Sequence, residues 1–233
     1  MSALDVIRHQ AVFNPVTYCK IPIHVIGAGA TGSKVFASLV ELGLTNITLY
    51  DDDIVEKHNL ANQLYLTRDI GLPKVEAAKQ WAMDKLGVKE LPSTMRFVAQ
   101  KVPFAGLEMS GIVFLMTDTM VSRRQIMKFI IETNEGLVSQ IIETRMASSY
   151  GNVFAFPPLD AKMVKAWEAT LIDDKEAEVS ACGTSISVGP TANIIANMAV
   201  WKMMVGLLDP EAMDNRTNIF LKPFVTHSEA FHA

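Results

Sequence analysis

A glycine-rich loop between a predicted strand and a predicted helix is the feature that most constrains this sequence. The loop reads G-A-G-A-T-G over residues 27–32, after an apolar strand candidate at 21–26 and at the start of an amphipathic helix candidate at 31–42. Glycine lacks a Cβ, so the backbone can turn tightly and approach a phosphate, while the free amides of a helix N-terminus attract anions. The pattern predicts a βαβ unit with a nucleotide-binding loop whose glycines are Gly27, Gly29 and Gly32.

An acidic residue follows at the position where such a unit binds a ribose. Residues 47–50 predict the second strand, and Asp51 comes directly after it, 19 positions beyond Gly32. At that spacing a carboxylate can accept hydrogen bonds from the ribose hydroxyls of a nucleotide. Oxidoreductases, flavoproteins and several transferases share the arrangement, so the loop and Asp51 leave the nucleotide undecided.

The segment after Asp51 narrows the choice. It reads D-D-D-I-V-E-K-H-N-L-A-N-Q over residues 51–63 and D-I-G-L-P-K over residues 69–74. The two blocks resemble the ThiF/MoeB/HesA family of ubiquitin-activating-type adenylating enzymes, whose pattern is D-x-D-x-V-x-x-x-N-L-x-R-Q followed by D-x-G-x-x-K. A dehydrogenase has no evident use for the second block.

Three later segments extend the resemblance over nearly the whole chain. Residues 117–123, T-D-T-M-V-S-R, resemble the family's T-D-N-x-x-x-R, and residues 143–146, E-T-R-M, resemble its acidic-x-Arg-Met step. Cys182 precedes Gly189-Pro190 and a long apolar helix candidate, as the family's cysteine-bearing crossover loop does. The combination is specific, although each piece alone is not.

The resemblance implies an ATP-dependent adenylyltransferase that forms an acyl-adenylate and pyrophosphate. Its substrate would be a small ubiquitin-like or sulfur-carrier protein that ends in Gly-Gly, and the C-terminal carboxylate of that protein would be adenylated. The chain itself would be a homodimer, and we expect no membrane partner and no nucleic acid bound through a basic surface.

The resemblance also implies a role for each matching residue. Lys74 would bring a positive charge to the phosphates, and Asp118, a hard oxygen ligand, would hold Mg²⁺. Cys182 could receive the activated acyl group, and Arg8 resembles the family's N-terminal arginine that crosses the dimer interface. The remaining nucleotide contacts would come from Asn59, Asn62 and Gln63.

The match departs from the family at one arginine. The family's N-L-x-R-Q becomes N-L-A-N-Q here, so Asn62 stands where a guanidinium would contact phosphate. A neutral amide cannot offset developing charge as an arginine can. Either another cation, such as Arg8 or Arg68, takes its place or activity is reduced. Thr119 replaces a further family asparagine.

Alternatives remain open at the level of single residues and of the whole chain. Lys74 could be a solvated lysine in a first helical turn, Asp118 could cap the following helix, and Cys182 could be a packed or merely exposed thiol. The glycine loop and Asp51 alone also suit an NAD(P)-dependent oxidoreductase. Asn62 and Thr119 suit a catalytically inactive relative that retains the fold as a binding module.

Composition fits a single globular domain without a basic surface. The chain has 233 residues, 49% hydrophobic and 20% charged, and a formal net charge of −4. Nucleic-acid binding needs clustered Lys and Arg, which this balance disfavours. Charged residues interrupt the first ten positions, and the longest apolar stretch, 194–208, is too short to span a bilayer, so we expect a cytoplasmic protein.

Strand and helix candidates alternate along the chain, which favours an α/β fold with a doubly wound, mostly parallel Rossmann-like sheet. A C-terminal antiparallel β element and a long crossover helix would be added to it. We expect one domain over 1–233, divided into an N-terminal arm (1–20), a nucleotide-binding core (21–146) and a carrier-binding or dimer portion (147–233). Further strands are predicted at 95–99, 112–116, 137–142, 151–156 and 218–225, and further helices at 74–86, 122–133, 160–171 and 190–208.

Overall fold

The computed structural model describes residues 4–133, 136–174 and 187–230. Helices and strands alternate through most of the first half of the chain, as the sequence predicts. The helices are α1 Pro15–Tyr18, α2 Gly32–Glu41, α3 Lys74–Leu86, α4 Met120–Thr133, α5 Ala161–Glu168 and α6 Gly189–Leu208. The strands are β1 Ile23–Ile26, β2 Ile47–Tyr50, β3 Arg96–Val98, β4 Gly111–Leu115, β5 Val138–Met146, β6 Tyr150–Phe156, β7 Arg216–Leu221 and β8 Phe224–Glu229.

All eight strands form one mixed sheet in the order β3-β2-β1-β4-β5-β6-β7-β8. The strands from β3 to β5 run parallel to one another, and β6, β7 and β8 extend the sheet antiparallel. The predicted doubly wound parallel sheet with an added antiparallel element is confirmed.

Helices cover both faces of the parallel half of the sheet. One core packs α2, α3 and α6 against the sheet, and a second packs α4 and α5 against the opposite face. The central strands β1, β2 and β4 therefore bury consecutive side chains rather than alternate ones. Continuous apolar runs in sequence are the expected result of such double coverage.

Helix α6 is mostly apolar, and its few polar side chains include the exposed Asn193 and Asn197. Within the described residues it is the one helix long and apolar enough to cross a membrane. The helix has 20 residues, so it is longer than the predicted apolar stretch 194–208, which is too short to span a bilayer. Half of that apolar window is buried inside the protein, against α2, β5 and β6. This burial explains why the side of α6 that faces the protein carries apolar residues.

The C-terminal β element differs from the prediction. Residues 218–225, predicted as one strand, instead end β7, form the turn at 222–223 and begin β8. Phe224 pairs with Leu221 across the turn in an antiparallel hairpin. Pro223 cannot donate to a sheet ladder, so a strand interior does not suit it and a turn does.

A buried histidine couples the sheet to pH. His24 in β1 is 6% exposed, its Nδ1 lies 2.9 Å from the Tyr50 hydroxyl, and burial lowers its pKa from 6.5 to about 4. Between these values the unfolded chain binds a proton that the folded chain excludes. The folded state therefore keeps its full stability above pH 6.5 and loses stability as the pH falls towards 4.

We predict that His24 alone lowers the free energy of unfolding by up to about 3 kcal/mol between pH 6.5 and pH 4. Urea unfolding at several pH values should give a steeper dependence for the wild type than for His24→Gln, which cannot titrate in this range. Parallel pH profiles for the two proteins would contradict the prediction.

Candidate nucleotide site

The predicted site residues gather at the carboxyl ends of the parallel strands. Gly27 follows β1, Asp51 follows β2 and Asp118 comes shortly after β4. The chain leaves β1 towards β2 on one side and later returns to β4 on the other side of β1. Strand order reverses at this point, and open α/β sheets bind ligands in the crevice that the reversal creates.

The three loop glycines have different roles. Gly27 has a φ of +97°, and a Cβ on it would lie 2.7 Å from the Met116 carbonyl oxygen. A Cβ on Gly32 would overlap the Gly27 carbonyl, so these two glycines permit the turn and the close approach of α2. A Cβ on Gly29 would meet nothing within 4 Å, so this part of the loop faces open space. Gly29 is thus the glycine at which a phosphate could approach the backbone.

Asp51 ties the glycine loop to the end of β2. Its Oδ2 accepts from the Ala28 amide at 2.6 Å, and its Oδ1 accepts from the Asp53 amide at 2.9 Å. Burial raises the pKa of Asp51, and the nearby Lys74 and the two amide bonds act against that rise. A carboxylate has about four lone-pair sites, so Asp51 can still accept from ribose hydroxyls.

Lys74 lies within this acidic corner. It is the first residue of α3, is 6% exposed, and its Nζ donates to Asp53 Oδ2 at 2.7 Å. The Asp51 carboxylate lies 4.0 Å from the same ammonium. The alternative of a solvated first-turn lysine is therefore wrong, and Lys74 is a buried cation held between two carboxylates.

The three amide side chains of the second motif, Asn59, Asn62 and Gln63, have different contacts. Asn59 is buried, and its Oδ1 accepts from the Glu56 amide at 2.8 Å, which stabilises the short 3₁₀ turn at 57–61. Asn62 donates through Nδ2 to the Ser187 carbonyl at 3.1 Å, close to the start of α6. The side-chain oxygens of Asn62 and Gln63 are buried without a hydrogen-bond partner. These two oxygens could accept from a ligand, while Asn59 has a structural contact.

Residues that the sequence analysis missed fasten this motif to the glycine loop. The Tyr65 hydroxyl donates to the Ala28 carbonyl at 2.7 Å, and the Leu64 amide donates to Ser33 Oγ at 3.2 Å. Lys34 Nζ donates to the Gln63 carbonyl at 3.3 Å. The sequence signals were a lone tyrosine after the motif and the polar pair Ser33-Lys34 in the first turn of α2.

Asp118 lies exposed at the carboxyl end of β4. The first amides of α4 are satisfied by others: Met120 and Val121 donate to Asp174 at 2.5 and 3.2 Å, and Ser122 donates to Thr119 Oγ1 at 3.2 Å. The prediction that Asp118 could cap this helix is therefore wrong for these three amides. Its carboxylate is available to a cation at the site.

The E-T-R-M step forms a buried charge cluster. Glu143 is fully buried and contacts the guanidinium of Arg123 at 2.8 Å and that of Arg145 at 3.0 Å. Trp167 Nε1 donates to Glu143 at 3.0 Å. Both carboxylate oxygens of Glu143 have donors. Because Arg123 belongs to α4 and Trp167 to α5, this residue of β5 connects the two helices to the sheet.

The remaining predicted residues lie away from the glycine loop or outside the described residues. Arg8 is exposed, and the neighbouring His9 contacts the Leu42 carbonyl just beyond α2, at the end of that helix remote from Gly32. Arg68 pairs with Asp84 and lies 3.8 Å from Asp69. Cys182 falls within 175–186, outside the described residues.

We predict that Tyr65→Phe lowers the free energy of unfolding by about 1–2 kcal/mol, because the buried Ala28 carbonyl loses its donor. Tyr18→Phe is the matched control, since the Tyr18 hydroxyl lies 3.4 Å from the Leu207 carbonyl and makes a weaker bond. Urea unfolding of the two variants and the wild type measures both changes. An equal loss of stability in the two variants would contradict a special role for Tyr65.

Comparison with known proteins assigns this chain to a protein family. The sequence model of the ThiF family matches residues 19–230. The sulfur carrier protein ThiS adenylyltransferase of Escherichia coli is 24% identical over 193 residues, which cover 80% of this chain and 73% of that protein. The adenylyltransferase and sulfurtransferase UBA4 of Yarrowia lipolytica is 39% identical over 59 residues, 25% of this chain and 15% of UBA4.

Solved structures show the same fold. Escherichia coli MccB superposes with a TM-score of 0.72 at 17% identity, over 96% of this chain and 67% of MccB. Its ATP complex gives a TM-score of 0.65 at 15% identity, over 91% of this chain and 64% of MccB. The chain thus spans about two thirds of MccB and a much smaller part of UBA4.

Proposed function

The chain belongs to the ThiF family, and we propose that it is an ATP-dependent adenylyltransferase. Its substrate is the C-terminal carboxylate of a small ubiquitin-like or sulfur-carrier protein that ends in Gly-Gly. The products are a carrier acyl-adenylate and pyrophosphate. The ThiS adenylyltransferase supports this substrate class, since that relative covers most of this chain.

The observation that carries the proposal is the corner formed by the glycine loop, Asp51 and Lys74. The Ala28 amide and the Lys74 ammonium both contact the aspartates that follow β2, beside the open backbone at Gly29. An adenine nucleotide would bring its ribose to Asp51 and its phosphates to the N-terminus of α2. The ATP complex of MccB is consistent with a nucleotide in this fold.

The chemistry requires the protein to bring two anions together. A carrier carboxylate oxygen attacks the α-phosphorus of ATP, the bond from that phosphorus to the bridging oxygen breaks, and pyrophosphate leaves with the electron pair. Amides at the start of α2 and the Lys74 ammonium offset the negative charge and hold the phosphate in line for attack.

Asp118 suits a Mg²⁺ ion at this site. Its carboxylate is exposed at a strand end, and hard oxygen ligands are those that Mg²⁺ prefers. When bound, the metal would neutralise charge on the phosphate oxygens. Asp118 would hold the ion from the β4 side of the crevice.

The proposal also includes an acyl-transfer step and an assembly state. The Cys182 thiolate attacks the carbonyl carbon of the acyl-adenylate, a thioester forms and AMP leaves, and the enzyme works as a cytoplasmic homodimer. Arg8 precedes His9, which contacts the Leu42 carbonyl beyond the C-terminal end of α2, whereas the glycine loop lies at the N-terminal end of that helix. A catalytic role for Arg8 therefore requires a site in a partner subunit, and the proposed homodimer would supply one.

We predict that ATP with Mg²⁺ stabilises the fold and that NAD does not, because Asp51 accepts from ribose and the cations of this corner face a triphosphate. At a ligand concentration 100 times the dissociation constant, the gain is about 2.7 kcal/mol. Thermal unfolding with each nucleotide measures it. Asp51→Asn, which keeps the size and removes the charge, is the matched control and should reduce the ATP shift.

A shift with NAD and none with Mg²⁺-ATP would instead favour the oxidoreductase. An ATP shift without pyrophosphate release in the presence of any Gly-Gly-ending carrier would favour an inactive binding module.

We predict that an Arg8→Ala chain mixed with an Asp118→Asn chain recovers pyrophosphate release, although each variant alone is nearly inactive. One of the two composite sites in such a mixed dimer contains both intact groups. Sedimentation of the wild type first establishes the dimer. A monomeric, fully active enzyme, or a mixture that recovers nothing, would contradict the shared site.

A further inference from the structure

The replacement of the family arginine by Asn62 leaves a charge to be accounted for. Asn62 uses its amide nitrogen to hold the Ser187 carbonyl at 3.1 Å, so this side chain is engaged with the segment that enters α6. An amide carries no charge in any case, and a triphosphate needs cations. The structure must supply the missing charge from another residue if the proposed reaction occurs.

Lys34 contacts the residue that follows Asn62 in the sequence. It is the third residue of α2, and its Nζ donates to the carbonyl of Gln63, the residue next to Asn62, at 3.3 Å. Helical side chains tilt towards the N-terminus of the helix, so Lys34 leans towards the turn that begins at Gly32. Its ammonium therefore lies between the first turn of α2 and the backbone of the residue that follows Asn62.

The charge of Lys34 is not neutralised by the protein. Its contact is a neutral carbonyl oxygen, and none of the ion pairs among the described residues includes it. Burial lowers the pKa of Lys34, because partial removal from water disfavours its charged form.

Other cations near the site are already committed. Lys74 lies 2.7 Å from Asp53 and 4.0 Å from Asp51, so much of its charge is balanced within the protein. Arg68, a substitute that the sequence suggested, pairs with Asp84 on α3. Lys34 therefore differs from both in having a free charge at the start of α2.

We propose that Lys34 binds the phosphates of ATP and supplies the positive charge that Asn62 lacks. Asn62 then has a different task, because its contact with Ser187 anchors the chain where it enters α6. The assignment rests on the proposed ATP-dependent function and names a phosphate contact that the family pattern does not contain.

Calorimetric titration of the full chain with Mg²⁺-ATP and with adenosine tests this assignment. Lys34→Met keeps the length of the side chain and removes the charge, so it should weaken Mg²⁺-ATP by about tenfold or more, the size of a lost charge-assisted hydrogen bond. Adenosine has no phosphate, so its affinity should stay unchanged. Lys34→Arg should remain close to the wild type.

Lys79→Met is the matched control, because Lys79 is a half-buried lysine of α3 paired with Glu76. It should bind Mg²⁺-ATP as the wild type does. Equal Mg²⁺-ATP affinity in the wild type and Lys34→Met would overturn the assignment and leave the proposed function intact. Equal losses for ATP and adenosine would also overturn it, since they would reflect general damage. A wild type that binds no Mg²⁺-ATP would overturn the proposed function itself.

A second variant tests the exchange of charge between the two positions. Adding Asn62→Arg to Lys34→Met restores the family residue, and we expect it to recover most of the lost ATP affinity. An unchanged affinity in the double variant, with its fold retained in circular dichroism, would contradict the claim that Lys34 replaces the arginine.

Discussion

The hydrogen bond from the Ala28 amide to the Asp51 carboxylate is the contact on which the rest of the site depends. It joins the loop after β1 to the end of β2 over a distance of 2.6 Å. Tyr65 then donates to the carbonyl of the same Ala28, so the loop is held on both sides of one residue. Three segments distant in sequence are thereby fixed around one turn of backbone, which leaves Gly29 facing open space.

This arrangement places like charges close together and needs a cation within it. Asp51 is largely buried, and its raised pKa reflects the cost of keeping a carboxylate away from water. Lys74 offsets that cost because its ammonium lies between Asp51 and Asp53. The same balance leaves Lys74 with less charge to offer a ligand, so an uncompensated Lys34 at the start of α2 gains importance. In the proposed account, Lys74 stabilises the buried Asp51 and Lys34 contacts the phosphates.

The parts of this site that follow a hydrophobic period or a fixed motif spacing could be predicted from the sequence. Buried strands read as apolar runs, and Asp51 could be placed because parallel strands end at one edge of a sheet. The contact between Lys34 and Gln63 could not be predicted, because it joins a helix to a loop 29 positions away. The pairing of Asn62 with Ser187 spans 125 positions and likewise depends on tertiary packing.

Carrier-dependent exchange of radioactive pyrophosphate into ATP tests the central claim most directly. The wild type, Mg²⁺-ATP and candidate small proteins ending in Gly-Gly from the same organism would be mixed, and each carrier would also be tested without its last two residues. The account predicts exchange with an intact carrier, none with its truncated form and none without a carrier. Exchange that is indifferent to the Gly-Gly end, or ATP binding without exchange for every intact carrier, would contradict adenylation of a carrier carboxylate.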